Sequence, residues 1–158
     1  AKNISFVSQW LAHLSIAVFI LAAVFTEQFD KDYNIEFSKN SQATQSLNRS
    51  IDITLNDIHE SSFSNHQKIK VDVTINKSGN MIQLNPSKNI YQPSGQVTTE
   101  VSKKSYYFDN FYSTITSITE SNVILNVVYK PLINLLWLST MLLILGIGLS
   151  IFRKNKYE

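Results

Sequence analysis

Two stretches of this 158-residue chain carry no charged side chain: Asn3 to Thr26, 24 residues long, and Pro131 to Phe152, 22 residues long. Averaged over the sequence, 14 basic and 12 acidic residues and a mean hydropathy close to zero describe an ordinary water-soluble domain. The average hides the segregation, because every charge sits outside those two stretches. A helix of about 20 apolar residues crosses the hydrocarbon core of a bilayer. The expectation is therefore two transmembrane helices, residues 1–26 and 131–152, around a polar middle of residues 27–130, with a basic tail at 153–158.

The first run ends at Thr26-Glu27 and begins behind Lys2. Its rival reading is a cleaved signal peptide with Ala22-Ala23 near the cleavage site, but signal h-regions run only about 7–15 residues. The second run starts at Pro131, a residue suited to a first helical turn, and is apolar on most faces, as a lipid-embedded helix is. Gly146, Gly148 and Ser150 are small enough to let another helix come close. Lys2 lies before the first run and Arg153, Lys154 and Lys156 after the second, whereas Glu27 to Lys130 holds 10 basic and 11 acidic residues. By the positive-inside rule both termini face the cytoplasm or matrix, and the middle faces the periplasm or intermembrane space.

The middle reads as β structure. Lys68 to Ile75 alternates polar and apolar residues, and Lys77-Ser-Gly-Asn80 supplies a turn before Met81 to Leu84. Ile51 to Leu55, Gln96 to Val101, Tyr106 to Ile118 and Val123 to Tyr129 are the other expected strands, and Ser38 to Ser50 is a polar connector. The predicted fold class is thus membrane α plus soluble β, two helices flanking a small sandwich or barrel-like domain.

Few residues offer chemistry. The absence of cysteine excludes disulfides, thiolate metal sites and cysteine nucleophiles. A net charge of +2 with no basic run argues against nucleic acid. No paired carboxylates, phosphate loop or nucleophile elbow points to hydrolase or kinase chemistry. His59 and His66 match no metal spacing and read as surface residues. His13 differs from them, because it lies about 14 Å along the first helix from Ile4 at about 1.5 Å per residue. Ionisable residues at such depth are functional candidates by default. A neutral imidazole there can ligate iron, relay a proton or hydrogen-bond to a neighbouring helix. Gln9 and Trp10 lie one turn away, and Ala12 and Ser15 leave room for a flat macrocycle or a second helix.

Five segments, in order along the chain, carry a family resemblance: Trp10-Leu-Ala-His-Leu-Ser-Ile-Ala-Val-Phe-Ile20, Leu84-Asn-Pro-Ser-Lys-Asn-Ile-Tyr91, Thr99-Glu100, Asn110-Phe-Tyr112 and Tyr129-Lys-Pro-Leu-Ile-Asn-Leu-Leu-Trp-Leu138. Together they resemble the C-terminal part of the CcmF/NrfE family, the haem lyases of cytochrome c maturation and their nitrite-reductase-type relatives. Ser15 stands where that family usually has Gly, Ser87 where it has Glu, and Phe63-Ser-Asn-His66 where it has Gly-x-Asn-Tyr.

The resemblance implies that His13 is an axial ligand of a haem b held between membrane helices. That haem would act as a redox relay while haem is joined to apocytochrome c through thioether bonds. It implies as partners apocytochrome c, a haem chaperone, other cytochrome c maturation subunits and membrane lipid. Tyr91, Glu100 and Tyr112 become candidate partner contacts because they fall in matched segments. The family's chain is several times longer, and its substrate-haem segment and second axial ligand have no counterpart here. The chain is thus expected to be a C-terminal portion, inactive alone, of a multi-pass lyase in the bacterial inner (plasma) membrane, or alternatively in the mitochondrial inner membrane. The rival from another class is a membrane-anchored β-domain adaptor without a cofactor.

Overall fold

The computed structural model describes residues 2–39, 42–48 and 50–154, so the end of the basic tail, 155–158, lies outside the described residues. The chain divides into two compact units. One gathers the chain up to Asp30, the short stretch Tyr106–Asn110 and the chain from Lys130 onward; the other is Lys31–Ser105 with Phe111–Tyr129.

The helical unit is built from α1 (Lys2–Phe29) and α2 (Ile133–Lys154). Each is long and apolar enough to cross a membrane, and neither is the buried core helix of a soluble protein. Phe6, Trp10, Leu14, Ile20, Leu21 and Val24 of α1, and Trp137, Met141, Ile144 and Leu145 of α2, are all exposed. Soluble monomers rarely expose a contiguous apolar surface of that extent.

What α1 does bury is small. Ser8, Ser15 and Ala22 recur every seven residues, and Thr26 continues the same face; all four are buried. This seam packs antiparallel on α2. The Ser8 hydroxyl donates to the Gly146 carbonyl at 2.9 Å near one end, and the Thr26 hydroxyl to the Pro131 carbonyl at 2.8 Å near the other. Lipid tails are as apolar as leucine, so helices in lipid associate through such close backbone approach and interhelical hydrogen bonds. Of the small residues on α2, Gly146 serves the seam, while Gly148 faces open space and Ser150 is exposed.

The start of α2 lacks a Ser, Thr, Asp or Asn cap of its own. Its first donors are met instead by the two-residue loop Tyr107-Phe108 and the residue after it. Leu132 N–H donates to Asp109 Oδ1 at 3.2 Å, and Asn134 N–H to the Phe108 carbonyl at 3.2 Å. The carboxylate also complements the positive end of the helix dipole. Just outside the helices, Lys130 and Asp30 pair at 2.7 Å.

The second unit is a sandwich of two antiparallel sheets. One sheet has the order β1 (Lys31–Ser38), β10 (Asn122–Lys130), β9 (Asp109–Ile118), β8 (Ser102–Tyr106). The other has the order β2 (Thr44–Asn48), β3 (Ile51–Ser62), β4 (His66–Lys77), β6 (Ser87–Tyr91), β7 (Val97–Glu100). The strand β5 (Asn80–Leu84) pairs with the Val73–Lys77 half of β4, and β6 takes the His66–Lys70 half.

Alternation along the strands sends one set of side chains inward: Ile51, Ile53 and Leu55 from β3; Ile69, Val71, Val73 and Ile75 from β4; Phe111 and Ile115 from β9; Val123, Leu125 and Val127 from β10. Burying each such side chain fully contributes roughly 1.5–3 kcal/mol before entropy is counted. Hydrogen bonds also join the sheets: Lys88 Nζ donates to the Thr116 carbonyl at 3.1 Å, and Gln45 Nε2 to the Glu36 carbonyl at 2.7 Å.

Several expectations are corrected in detail. The expected connector from Ser38 to Ser50 contains β2, whose Thr-Gln-Ser-Leu-Asn sequence has no apolar alternation. The strand expected at Ile51–Leu55 continues to Ser62 past a bulge between Leu55 and Asp57. The strand expected at Tyr106–Ile118 begins only at Asp109, as β9, and Tyr106 is the last residue of β8. The strands β1 and β6, and β8 apart from Tyr106, lie where none was expected.

The seam gives a direct test. A Cβ on Gly146 would lie 3.1 Å from Ala12 N and 3.4 Å from both Ala12 Cα and the Ser8 carbonyl, all backbone atoms, whereas a Cβ on Gly148 meets nothing within 4 Å. Gly146→Ala is expected to lower stability by about 1–2 kcal/mol, the lower part of the overpacking range. Gly148→Ala should leave stability unchanged or slightly raised. Unfolding of both variants in detergent micelles measures the difference.

Candidate functional site

His13 comes from α1, and the seam decides where it points. At 3.6 residues per turn, a residue five places after Ser8 is rotated by about 140° from it. His13 is accordingly exposed, on the face of α1 turned away from α2. The exposed residues sharing that face are Phe6, Gln9, Trp10, Ala17, Ile20 and Val24. Phe6 and Trp10 lean together with ring centroids 6.0 Å apart.

Ala12 and Ser15, the small residues that leave room for a macrocycle or a helix, both face the helix: Ser15 is buried and Ala12 lies under Gly146. A flat group at His13 would instead lie against Gln9 and Ala17, one turn to either side. Among the described residues no three His, Asp or Glu side chains gather into a metal-binding group. His13 is thus a single donor, presented outward from an apolar helix.

The other candidates lie in the sandwich, and they do not converge. Alternation in β6 puts Ser87, Asn89 and Tyr91 on the outer face of their sheet. The pairing sets them beside Lys70, Lys68 and His66 of β4. Glu100, on β7 opposite Ser87, joins the same face. Lys68 Nζ donates to Glu100 Oε2 at 2.8 Å, Asn89 Nδ2 to Glu100 Oε1 at 3.0 Å, and the Ser87 hydroxyl to Glu100 Oε2. These bonds, Lys68 foremost, hold the Glu100 carboxyl well below the ordinary glutamate range, at about 2.

Tyr91 lies at the end of that face. His66 stacks between it and Phe63, with ring centroids 5.2 Å from Tyr91 and 4.6 Å from Phe63. His66 is therefore half-buried in an aromatic stack, not the plain surface residue its sequence context suggests. Tyr112 belongs to β9 in the other sheet, where Lys103 Nζ sits 5.6 Å from its ring centre.

Sequence reasoning also passed over Asp72. This carboxylate is held by Asn85, by Lys70 at 3.1 Å and by His59 at 3.2 Å. Burial pushes its carboxyl up, and these partners together outweigh burial and hold it below its ordinary value. Only the strand alternation of Lys68, Lys70 and Asp72 could have signalled this charged outer face.

The architecture defined by these features is a β sandwich carried by two helices of membrane-spanning length, one of which presents a single histidine to whatever lies beside it. No protein-family model matches the sequence, and no curated protein matches it. Among solved structures, Cytochrome c Heme Lyase CcmF superposes with a TM-score of 0.68 over 94% of this chain, at 12% sequence identity. The chain has a CcmF-like fold, and it spans 25% of that protein's length.

The Glu100 cluster generates a pH prediction. A carboxyl depressed on folding stabilises the folded state fully above its unfolded value, near 4.3, and loses that contribution as pH falls toward the folded value. Glu100 is half exposed, so solvent screening limits the effect to about 1 kcal/mol or less. Between about pH 5 and pH 2 the native chain should lose that much more stability than Glu100→Gln does, as measured by denaturation midpoints across this range.

Proposed function

We propose that this chain is the C-terminal portion of a membrane haem lyase that matures c-type cytochromes, and that His13 is an axial ligand of its haem b. The observation that carries the reading is the position of His13. The CcmF-like fold extends over nearly the whole chain, and within it the one ionisable residue deep in α1 faces outward, away from its own partner helix. An ionisable side chain facing lipid is costly unless a cofactor or another helix meets it.

The residues present fit one half of a haem site. The neutral imidazole offers a lone pair, its ring has no partner group among the described residues, Ala17 occupies little space on the same face, and Gln9 offers hydrogen-bonding groups there. A haem bound at this point supplies a one-electron couple. His13 binds and orients it and tunes its potential, while the apolar flank of Phe6, Trp10 and Ile20 excludes water. The second axial ligand, the surface for substrate haem and the thioether chemistry come from the remainder of a longer protein.

In this reading the two helices are transmembrane segments, residues 1–26 and 131–152. The termini lie on the cytoplasmic or matrix side, and the sandwich of residues 27–130 lies in the periplasm or intermembrane space. A bacterial inner membrane is the first setting and a mitochondrial inner membrane the second. The haem chaperone, apocytochrome c and other maturation subunits would meet the sandwich, with Tyr91 and Glu100 on one outer face and Tyr112 on the other. A second reading, an anchored adaptor without cofactor, rests on the absence of any second metal ligand near His13 in the described residues.

His13→Ala separates the two. In membranes holding the complete maturation assembly, the variant should lose the reduced b-type haem band. Mature cytochrome c should fall by at least about ten-fold, since even outer-shell changes at metal sites cost about 10–100-fold. An unchanged spectrum with normal maturation would rule out His13 as the haem ligand. Topology has its own check: a reporter fused after Glu158 should be active on the cytoplasmic or matrix side, and activity on the opposite side would contradict the orientation.

A further inference from the structure

The loop Tyr107-Phe108 is chemically out of place for a turn in water. It joins β8 to β9 through two residues, and Tyr107 adopts φ 52°, in the left-handed region. Tight hairpins place Gly, Asn or Asp at such positions because other side chains are strained there. The comparable turn between β4 and β5 has Ser78-Gly79. Here an aromatic takes the strained position and is 81% exposed, and its neighbour Phe108 is 49% exposed. Within the chain the Tyr107 ring meets the Tyr106 ring edge-on, with centroids 4.7 Å apart, and that contact still leaves most of it exposed.

The bonds of the loop locate it along α2. Asn134 Nδ2 donates to the Tyr107 carbonyl at 2.9 Å, and Asn134 N–H to the Phe108 carbonyl at 3.2 Å. Asn134 lies in the first turn of α2, whereas the Asp30–Lys130 pair lies outside both helices. The loop therefore reaches past the last charged pair to the level where the apolar span begins. Its carbonyls are already satisfied at that level, as an apolar surrounding demands. Tyr and Trp favour this depth, where an amphipathic ring meets both headgroups and acyl chains. Trp137, one turn further along α2, and the stacked pair Phe25 and Phe29 on α1, with centroids 5.6 Å apart, are exposed near the same end of the helices.

We propose that Tyr107 and Phe108 form a lipid-inserting anchor: the tip of the β8–β9 hairpin enters the headgroup–acyl boundary beside α2 and fixes the depth of the helix pair. The proposal rests on the two helices spanning a membrane. It does not depend on His13 or on haem.

The chain has no cysteine, so a nitroxide can be placed at a single introduced one. The full chain carrying Tyr107→Cys, Phe108→Cys, Ile144→Cys or Met81→Cys is reconstituted in nanodiscs of phosphatidylcholine and phosphatidylglycerol. Collision of each label with oxygen, which concentrates in lipid, and with a water-soluble nickel chelate is then read by power saturation. Ile144, 64% exposed in mid-span, is the lipid reference, and Met81, 78% exposed on β5, is the water reference. A label at Tyr107 or Phe108 should give an oxygen-to-nickel ratio several-fold above that at Met81.

The anchor is overturned if both tip labels match Met81, or if both are shielded from both reagents, which would mean that protein covers them. A water-accessible Ile144 would remove the membrane reading and this proposal with it. A lipid-exposed Ile144 beside a water-exposed tip would sink the anchor alone.

Discussion

The close approach of α1 and α2 is the contact on which the arrangement of functional groups depends. Ser8, Ser15, Ala22 and Thr26 put hydrogen bonds and van der Waals contact where larger side chains would hold the backbones apart. Once that seam is fixed, helix geometry leaves no choice about the opposite face. His13, Gln9 and Trp10 must point outward, with aliphatic and aromatic side chains around them. Shifting the small residues of α1 by two positions toward the N-terminus would bring His13 within about 20° of the seam, where a hydrogen bond to α2 would satisfy it and no external group could reach it.

The two units follow different physical rules. The sandwich buries Ile, Val, Leu and Phe from both sheets and turns charged residues outward, as the hydrophobic effect in water requires. The helical unit buries serine, alanine and glycine and exposes its large apolar residues. That inversion is itself a statement about solvent, and it matches the charge-free runs at the two ends of the sequence.

The strands visible in the sequence were those with apolar alternation on a half-buried face, such as β4 and β10. Of the unmarked strands, β1 does alternate, with Tyr33, Ile35 and Phe37 turned inward, whereas β2, β6 and β8 lack the pattern for identifiable reasons. The edge strand β2 is polar, and its register comes from pairing with β3. The strand β6 buries Ser87 and Asn89, whose hydroxyl and amide N–H donate to Glu100, so no apolar periodicity marks it. The edge strand β8 is unmarked up to Tyr106 because Ser102-Lys-Lys-Ser105 is polar throughout, and Tyr107-Phe108 after it contains none of the residues that announce turns. For the candidate site, the mid-helix position of His13 is legible from counting residues along α1. Which way it faces was not, because that depends on the partner chosen by the small-residue seam. The Glu100 cluster draws on three strands separated by 32 residues between Lys68 and Glu100, a proximity that no local pattern encodes. The CcmF-like fold agrees with the resemblance carried by the short motifs, although overall identity is only 12%.

The central claim is that the outward face of α1 receives a haem through His13. A cryo-electron microscopy map of the complete maturation assembly, with this chain in its native membrane setting, tests it most directly. The account predicts a planar macrocycle against α1 on the side opposite Gly146, with its iron bonded to a ring nitrogen of His13 and a second ligand arriving from another part of the assembly. A map in which His13 is hydrogen-bonded to a neighbouring helix or faces lipid, with no macrocycle on that face, would contradict it.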